Sequence, residues 1–274
     1  MKYKVITDNA AKLLKHLTES KKQFFTFQDA EQFMQGASKP YIKEFLEDLV
    51  TRELVLRLKK GLYVVIPYDI SAKDYFPNWC VVASHLAGED ANYYIAYYSA
   101  LQLHSLTTQP NYTTQIVVNK RIYPAVQKIH DVEFQFIYRA DKSFFGIKKM
   151  WPDSYNWVSC SDLEKTIIDC LYKPDYAMGI TEVAKALYKA KDKLDYDKLL
   201  KYLNQFNKQV AVKRLGFLLE LYEINTPIIE QLIKMKTQTY LYLDPSYPQE
   251  GKINKRWNIK INFDLETIKQ APFS

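Results

Sequence analysis

Thr26-Phe-Gln-Asp-Ala-Glu-Gln-Phe-Met34, Gln35-Gly36-Ala37, Ser38-Lys-Pro-Tyr-Ile-Lys-Glu-Phe-Leu-Glu-Asp-Leu-Val-Thr-Arg52, Leu54-Val-Leu-Arg-Leu58, Lys59-Lys60-Gly61 and Leu62-Tyr-Val-Val-Ile66 follow one another almost without interruption. Thr26 and Ser38 are hydroxyl residues of the kind that cap a helix starting just after them. In the second of these helices Ile42, Phe45, Leu46 and Leu49 fall at i, i+3, i+4 and i+7, which is one packed face. The two β-rich runs that follow are joined by a glycine-containing hairpin tip. Helix, turn, helix and basic ribbon, over residues 1–68, form the outline of a winged helix-turn-helix, a module that reads duplex DNA.

Candidate contacts follow from that outline. Ser38, Lys39, Tyr41 and Lys43 sit at the exposed start of the second helix, where a recognition helix enters the major groove. The N-terminus of that helix can also receive a phosphate. Arg57, Lys59 and Lys60 give the wing charges for backbone or minor-groove contact, and Thr26 and Gln28 at the start of the preceding helix complete the set. Glu44 and Glu47 lie on the outward face of the same recognition helix and oppose phosphates. Residues 1–68 hold 12 Lys/Arg against 8 Asp/Glu, a net of only +4. A further helix is expected over Ala10 to Glu19, with Leu13, Leu14 and Leu17 on one face.

The chain of 274 residues is long enough for one large or two modest domains. Its formal charge of +7 favours an anionic partner without specifying one. Glycine is scarce, at 7 residues, which argues against phosphate-cradling loops. Cys80, Cys160 and Cys170 form no CxxC, and His16, His85, His104 and His130 are scattered, so no zinc signature arises. Few cysteines, no cleavable leader and no apolar run near the ~20 residues of a membrane span predict a cytoplasmic protein without a membrane partner.

Pro67, Ser71, Pro77 and Asn78 make residues 69–79 a connector. Residues 80–274 are expected to form a larger mixed α/β domain, so the fold class is α+β. Expected there are a helical patch over Cys80 to Leu86 and a strand or turn from Ala91 passing into a helix near Tyr98. Strands follow at Gln115–Asn119 and Val132–Tyr138. A helical region spans 161–236, and a final pair of strands lies within 239–263. Ser161-Asp-Leu-Glu164 reads as a capping box for a helix whose inner stripe is Leu163, Ile167, Ile168 and Leu171. Oxygen-bearing caps are expected for the helices at Thr181–Ala190 and Asp195–Phe206, and Thr226-Pro227 is expected to start the last helix. Gly216, inside a helix over Val210 to Ile224, implies the close approach of another helix.

No enzyme is required by these residues. Trp151-Pro152-Asp153 and Lys173-Pro174-Asp175 each give half of a metal-dependent nuclease pattern. The other half is missing: Glu164-Lys165 lacks the spacer, and Asp195-Tyr196-Asp197-Lys198 sits at a helix start. No GxSxG, HExxH or P-loop pattern occurs, and no cofactor is implied. His104 and Asp169 read as structural, and the cysteines as buried small hydrophobes.

One order of motifs is nonetheless distinctive. Lys60-Gly61-Leu62-Tyr63 is followed by Tyr98-Ser-Ala-Leu-Gln-Leu-His104-Ser105-Leu-Thr107, Phe144-Phe145-Gly146, and Val158-Ser-Cys-Ser-Asp-Leu-Glu-Lys-Thr-Ile-Ile-Asp-Cys170. Pro174, Gly179-Ile180 and Arg214-Leu-Gly-Phe-Leu-Leu-Glu220 complete it. Over about residues 5–225 the chain resembles the AbiEi antitoxin family of bacterial type IV toxin–antitoxin systems, also described as transcriptional regulators of viral defence. Ser105 departs from the glycine of many relatives. The resemblance implies an N-terminal domain that binds inverted repeats in its own promoter. It also implies a larger domain that counteracts a nucleotidyltransferase toxin without a stable complex. No residue of an antitoxin site follows from it. The alternative is a stand-alone regulator whose C-terminal domain senses a ligand or oligomerises.

Overall fold

The computed structural model describes residues 4–88, 92–110, 112–154 and 156–273, an α+β chain with three sheets among them. Its contacts divide it between Trp79 and Cys80 into two compact units. Among the described residues no helix is long and apolar enough to cross a membrane.

The first unit is built from α1 (Asp8–Glu19), β1 (Phe24–Thr26), α2 (Phe27–Phe33), α3 (Lys39–Thr51), β2 (Val55–Lys59) and β3 (Leu62–Val65). Thr7 caps α1. Thr26 and Asp29 form a reciprocal capping box on α2, and Ser38 caps α3. Ala10, Leu13 and Leu17 of α1 meet Ile42, Phe45, Leu46 and Leu49 of α3 in one core, with Phe25 and Tyr63 from the sheet. The sheet order is β1-β3-β2, all antiparallel. Strand β1 has no counterpart in the sequence reading, because three residues are too few for an alternating pattern. Gly61, at φ +79°, makes the hairpin tip. Residues 69–79 contain no strand and hold to this unit: Lys4 Nζ donates to Pro67 O and Ile70 O, and Gln23 Nε2 to the Tyr75 hydroxyl.

The second unit opens with α4 (Trp79–Ala87), β4 (Tyr93–Ile95) and α5 (Tyr97–Leu103); the run read from Ala91 begins outside the described residues. Then come β5 (Thr113–Val118), β6 (Val126–Ile129), β7 (Val132–Tyr138), β8 (Ile147–Met150) and β9 (Val158–Ser161). They form a six-stranded sheet in the order β6-β7-β5-β4-β9-β8. β5 pairs with β7 in parallel and β4 with β9 in parallel, and the other neighbours are antiparallel. Strands β6, β8 and β9 go beyond the sequence reading; each spans four residues, and β8 is an edge strand carrying Lys148 and Lys149. Ser105 is left-handed, φ +57°, in the turn after α5, so the departure from glycine falls on a turn.

Helices α6 (Leu163–Tyr172), α7 (Ile180–Ala190), α8 (Tyr196–Phe206), α9 (Gln209–Leu221) and α10 (Ile229–Met235) follow. The chain continues through β10 (Leu241–Tyr242), β11 (Lys252–Asn254), β12 (Ile259–Ile261) and α11 (Leu265–Gln270). The final strands are three, not two, in the order β10-β12-β11, and α11 rather than α10 is the last helix. Helix α10 starts after Ile228, so Thr226-Pro227 precede it instead of opening it.

Three local expectations are corrected. The cap of α6 is Asp162, whose carboxylate accepts from Lys165 N; Ser161 still belongs to β9, and Glu164 instead accepts from Asp195 N and Lys198 Nζ. Helix α7 has no side-chain cap at Gly179; the carboxylate of Asp244, 64 residues on, takes the Ile180 N–H at 2.8 Å. The neighbour that demands Gly216 is not a helix but the indole of Trp257, with which a Cβ at this position would collide. Trp257 is fully buried and donates to Glu220 Oε2 at 2.6 Å. Leu243, Trp257, Ile259 and Ile268 share one core with α6, α7 and α9, so the chain after residue 226 completes the second unit.

Candidate nucleic-acid interface

Three short elements of the first unit bring the candidate residues to its surface. Burial of Ile42, Phe45, Leu46 and Leu49 fixes the roll of α3, and this leaves Lys39, Tyr41 and Lys43 exposed on its first two turns. Tyr41 is 47% exposed, a large aromatic held out of the core. The hairpin of β2 and β3 pairs Arg57 with Tyr63 and Lys59 with Leu62 across a bulge. Arg57, Lys59 and Lys60 are all exposed there, with Lys60 and Gly61 as the tip. Phe27 N donates to Gly61 O at 2.9 Å, tying the hairpin tip to the start of α2.

The candidates differ in what their polar atoms already do. Thr26 Oγ1 accepts from Asp29 N at 3.2 Å and donates to Asp29 Oδ2 at 2.7 Å, so its hydroxyl serves the cap of α2. Gln28, one turn position away, is exposed. Lys22 pairs with Asp29 at 2.6 Å, and the carboxyl stays below its usual range: burial works against ionisation, but Lys22 and Thr26 together outweigh it. Ser38 Oγ accepts from Tyr41 N at 3.4 Å. Pro40 has no N–H, so of the first three positions of α3 only the Lys39 N–H is left, and the expected phosphate seat at this helix start is largely closed. Lys39 Nζ lies 3.6 Å from Glu31 Oε1, an exposed pair that phosphate can displace. Glu44 and Glu47 are exposed beside them.

The motif block of the second unit has a different character. Lys165 is fully buried, paired with Asp169, 3.2 Å from the Tyr94 hydroxyl, and about 5 Å from the ring centres of Tyr94, Phe145 and Phe206. Burial raises the Asp169 carboxyl above its usual range, with Lys165 opposing, and raises Tyr94 well above its own. Asp162 and Glu164 share Lys198, at 3.0 and 2.7 Å, and the Tyr202 hydroxyl donates to Asp162 at 2.9 Å. These contacts knit α6 to α8. His104 Nε2 lies 2.8 Å from Ser161 O, and the three cysteines are buried, with burial pushing all their thiols up. Arg214 donates to Leu171 O at 2.7 Å and Tyr242 O at 3.0 Å, joining α6 to β10. Among the described residues no group of three His, Cys, Asp or Glu could hold a metal ion.

No protein-family profile and no curated protein matches the chain. Among solved structures it is similar to the crystal structure of the Rv2827c protein from Mycobacterium tuberculosis. That match covers 93% of this chain and 92% of the other, with a TM-score of 0.69 and 14% sequence identity. The likeness is one of fold.

Proposed function

We propose that the first unit is a winged helix-turn-helix that binds duplex DNA, and that the chain is an autorepressor and antitoxin of the AbiEi kind. The observation that supports the DNA-binding half is the placement of Lys39, Tyr41 and Lys43 on the exposed start of α3, with the basic β2–β3 hairpin beyond it. A helix start of that chemistry suits the major groove, and the hairpin cations suit the adjoining backbone or minor groove. Inverted repeats in its own promoter are the proposed operator. A nucleotidyltransferase toxin is the proposed functional partner of the second unit, without a stable complex. The chain acts by binding, with no catalytic step and no cofactor.

A promoter-reporter assay tests the first half: the intact chain represses, and Lys39→Ala with Lys43→Ala relieves repression at equal protein level. Full repression by that variant would contradict the choice of α3. Co-expression with the product of an adjacent gene tests the second half. Growth arrest by that product alone, relieved by this chain, is the expected result. No relief at full expression would leave a regulator without antitoxin activity.

A further inference from the structure

Three cations from separate parts of the second unit gather around one aromatic ring. The Arg139 guanidinium, just after β7, lies 5.5 Å from the ring centre of Tyr172, the last residue of α6. Lys173 Nζ, from the residue that ends the same helix, lies 5.8 Å from that centre. Lys208 Nζ, from the residue at which α9 starts, also lies 5.8 Å from it. Phe206 holds the ring edge to face, 5.2 Å between centres. Lys208 is exposed and Arg139, Tyr172 and Lys173 are half-buried, so the cluster is open to solvent.

Like charges brought this close oppose one another, and among the described residues none of the three is in an ion pair. Asp169 acts on Arg139 electrostatically, but its carboxylate is taken up by Lys165 and the Tyr94 hydroxyl. The negative end of α6 does not account for the cluster either, because the buried Arg214 already donates to Leu171 O and Tyr172 O. No side chain caps α9, and the positive end of that helix adds to the field at Lys208. Arg139 is also held in place: its Nη2 donates to the hydroxyl of the buried Tyr97 at 3.0 Å. Tyr97 itself has a left-handed backbone, φ +52°, a costly conformation for an aromatic residue. Strain thus sits on the residue that fixes the guanidinium, whose remaining N–H groups have no partner among the described residues.

We propose that Arg139, Lys173 and Lys208, gathered around Tyr172, bind a small anion with two adjacent phosphates, a pyrophosphate group free or in an ester. Three uncompensated positive charges call for a multiply charged anion. The unused part of the Arg139 fork suits two oxygens of one phosphate, and the two lysines, on flexible stems, close on the other as point charges. The charges surround a single ring, which suits a compact anion better than the extended track of a nucleic-acid backbone. A site for such a ligand in the second unit does not depend on whether the first unit binds DNA.

Inorganic pyrophosphate titrated into the full ¹⁵N-labelled chain at constant ionic strength tests this. The readout is the Arg139 Nε–H cross-peak, identified by its loss in Arg139→Lys. A saturable, one-to-one shift is expected, with chloride at the same ionic strength giving none. Lys173→Met with Lys208→Met, which keeps both apolar stems on Tyr172, should weaken binding about tenfold or more. Lys208→Met alone, at an exposed position, should weaken it in the same direction. No saturable shift, an equal response to chloride, or unchanged affinity in the folded variants would each overturn the proposal. A short DNA duplex of unrelated sequence that displaces pyrophosphate from this cross-peak would assign the cations to a nucleic-acid backbone and overturn it equally.

Discussion

Lys165 and Asp169 put a complete ion pair in the middle of the second unit, both side chains almost wholly removed from solvent. Taking two charges out of water costs several kcal/mol per ion, which the pairing offsets only while both partners are present. Lys165→Met alone should therefore destabilise the protein by about 3–5 kcal/mol, since it strands a buried carboxylate. Lys165→Met with Asp169→Leu should recover most of that loss in urea unfolding; an additive double variant would contradict the pairing. His104 offers a second test. Burial lowers its pKa, and the hydrogen bond with Ser161 O opposes this only in part. A native state that resists the proton loses stability as pH falls through the unfolded value of about 6.5. His104→Gln should make stability less sensitive to acidification from about pH 7 to 5 than in the parent, measured by denaturant midpoints. An unchanged pH slope would show that His104 is not responsible.

Among the elements, those with a strong local pattern were legible and those fixed by distant partners were not. Helix α3 follows from four apolar residues at helical spacing and a serine cap, so its boundaries and buried face could be read directly. Strands β1, β6, β8 and β9 are three or four residues long and exist because a neighbour pairs with them. The cap of α7 is beyond local reading, since Asp244 comes from the chain's last quarter. Gly216 marked a close approach correctly but could not name the indole that makes it. Gly216→Ala, which drives a methyl into Trp257, should cost about 1–3 kcal/mol or more by overpacking. In Trp257→Ala the same methyl should cost far less, as a double-mutant cycle on thermal or urea unfolding would record. Equal costs in both backgrounds would remove Trp257 as the reason for the glycine. Of the candidate DNA-facing residues, Lys39, Tyr41, Lys43, Arg57 and Lys60 reach the surface as the sequence suggested, while the Thr26 hydroxyl is committed to its helix.

Across the whole molecule, each unit has its own core: α1 and α3 with the small sheet in one, and in the other the helices α5 through α11 clustered together, with α5 and α6 against the larger sheet. Separate cores allow separate functions. A chain starting at Cys80 should fold, lose operator binding entirely, and keep any capacity to relieve toxin arrest; a folded fragment that loses both activities would contradict the division of labour. The central claim is that the surface of α3 and the hairpin holds duplex DNA. It is tested most directly by fluorescence anisotropy of the purified chain on its own promoter duplex across a salt series. Affinity should fall steeply with salt. Lys39→Ala with Lys43→Ala should weaken binding and reduce the log–log slope by about 0.9 for each phosphate those lysines neutralise. An unchanged affinity and slope in that variant, or no binding by the intact chain at low salt, would contradict the account.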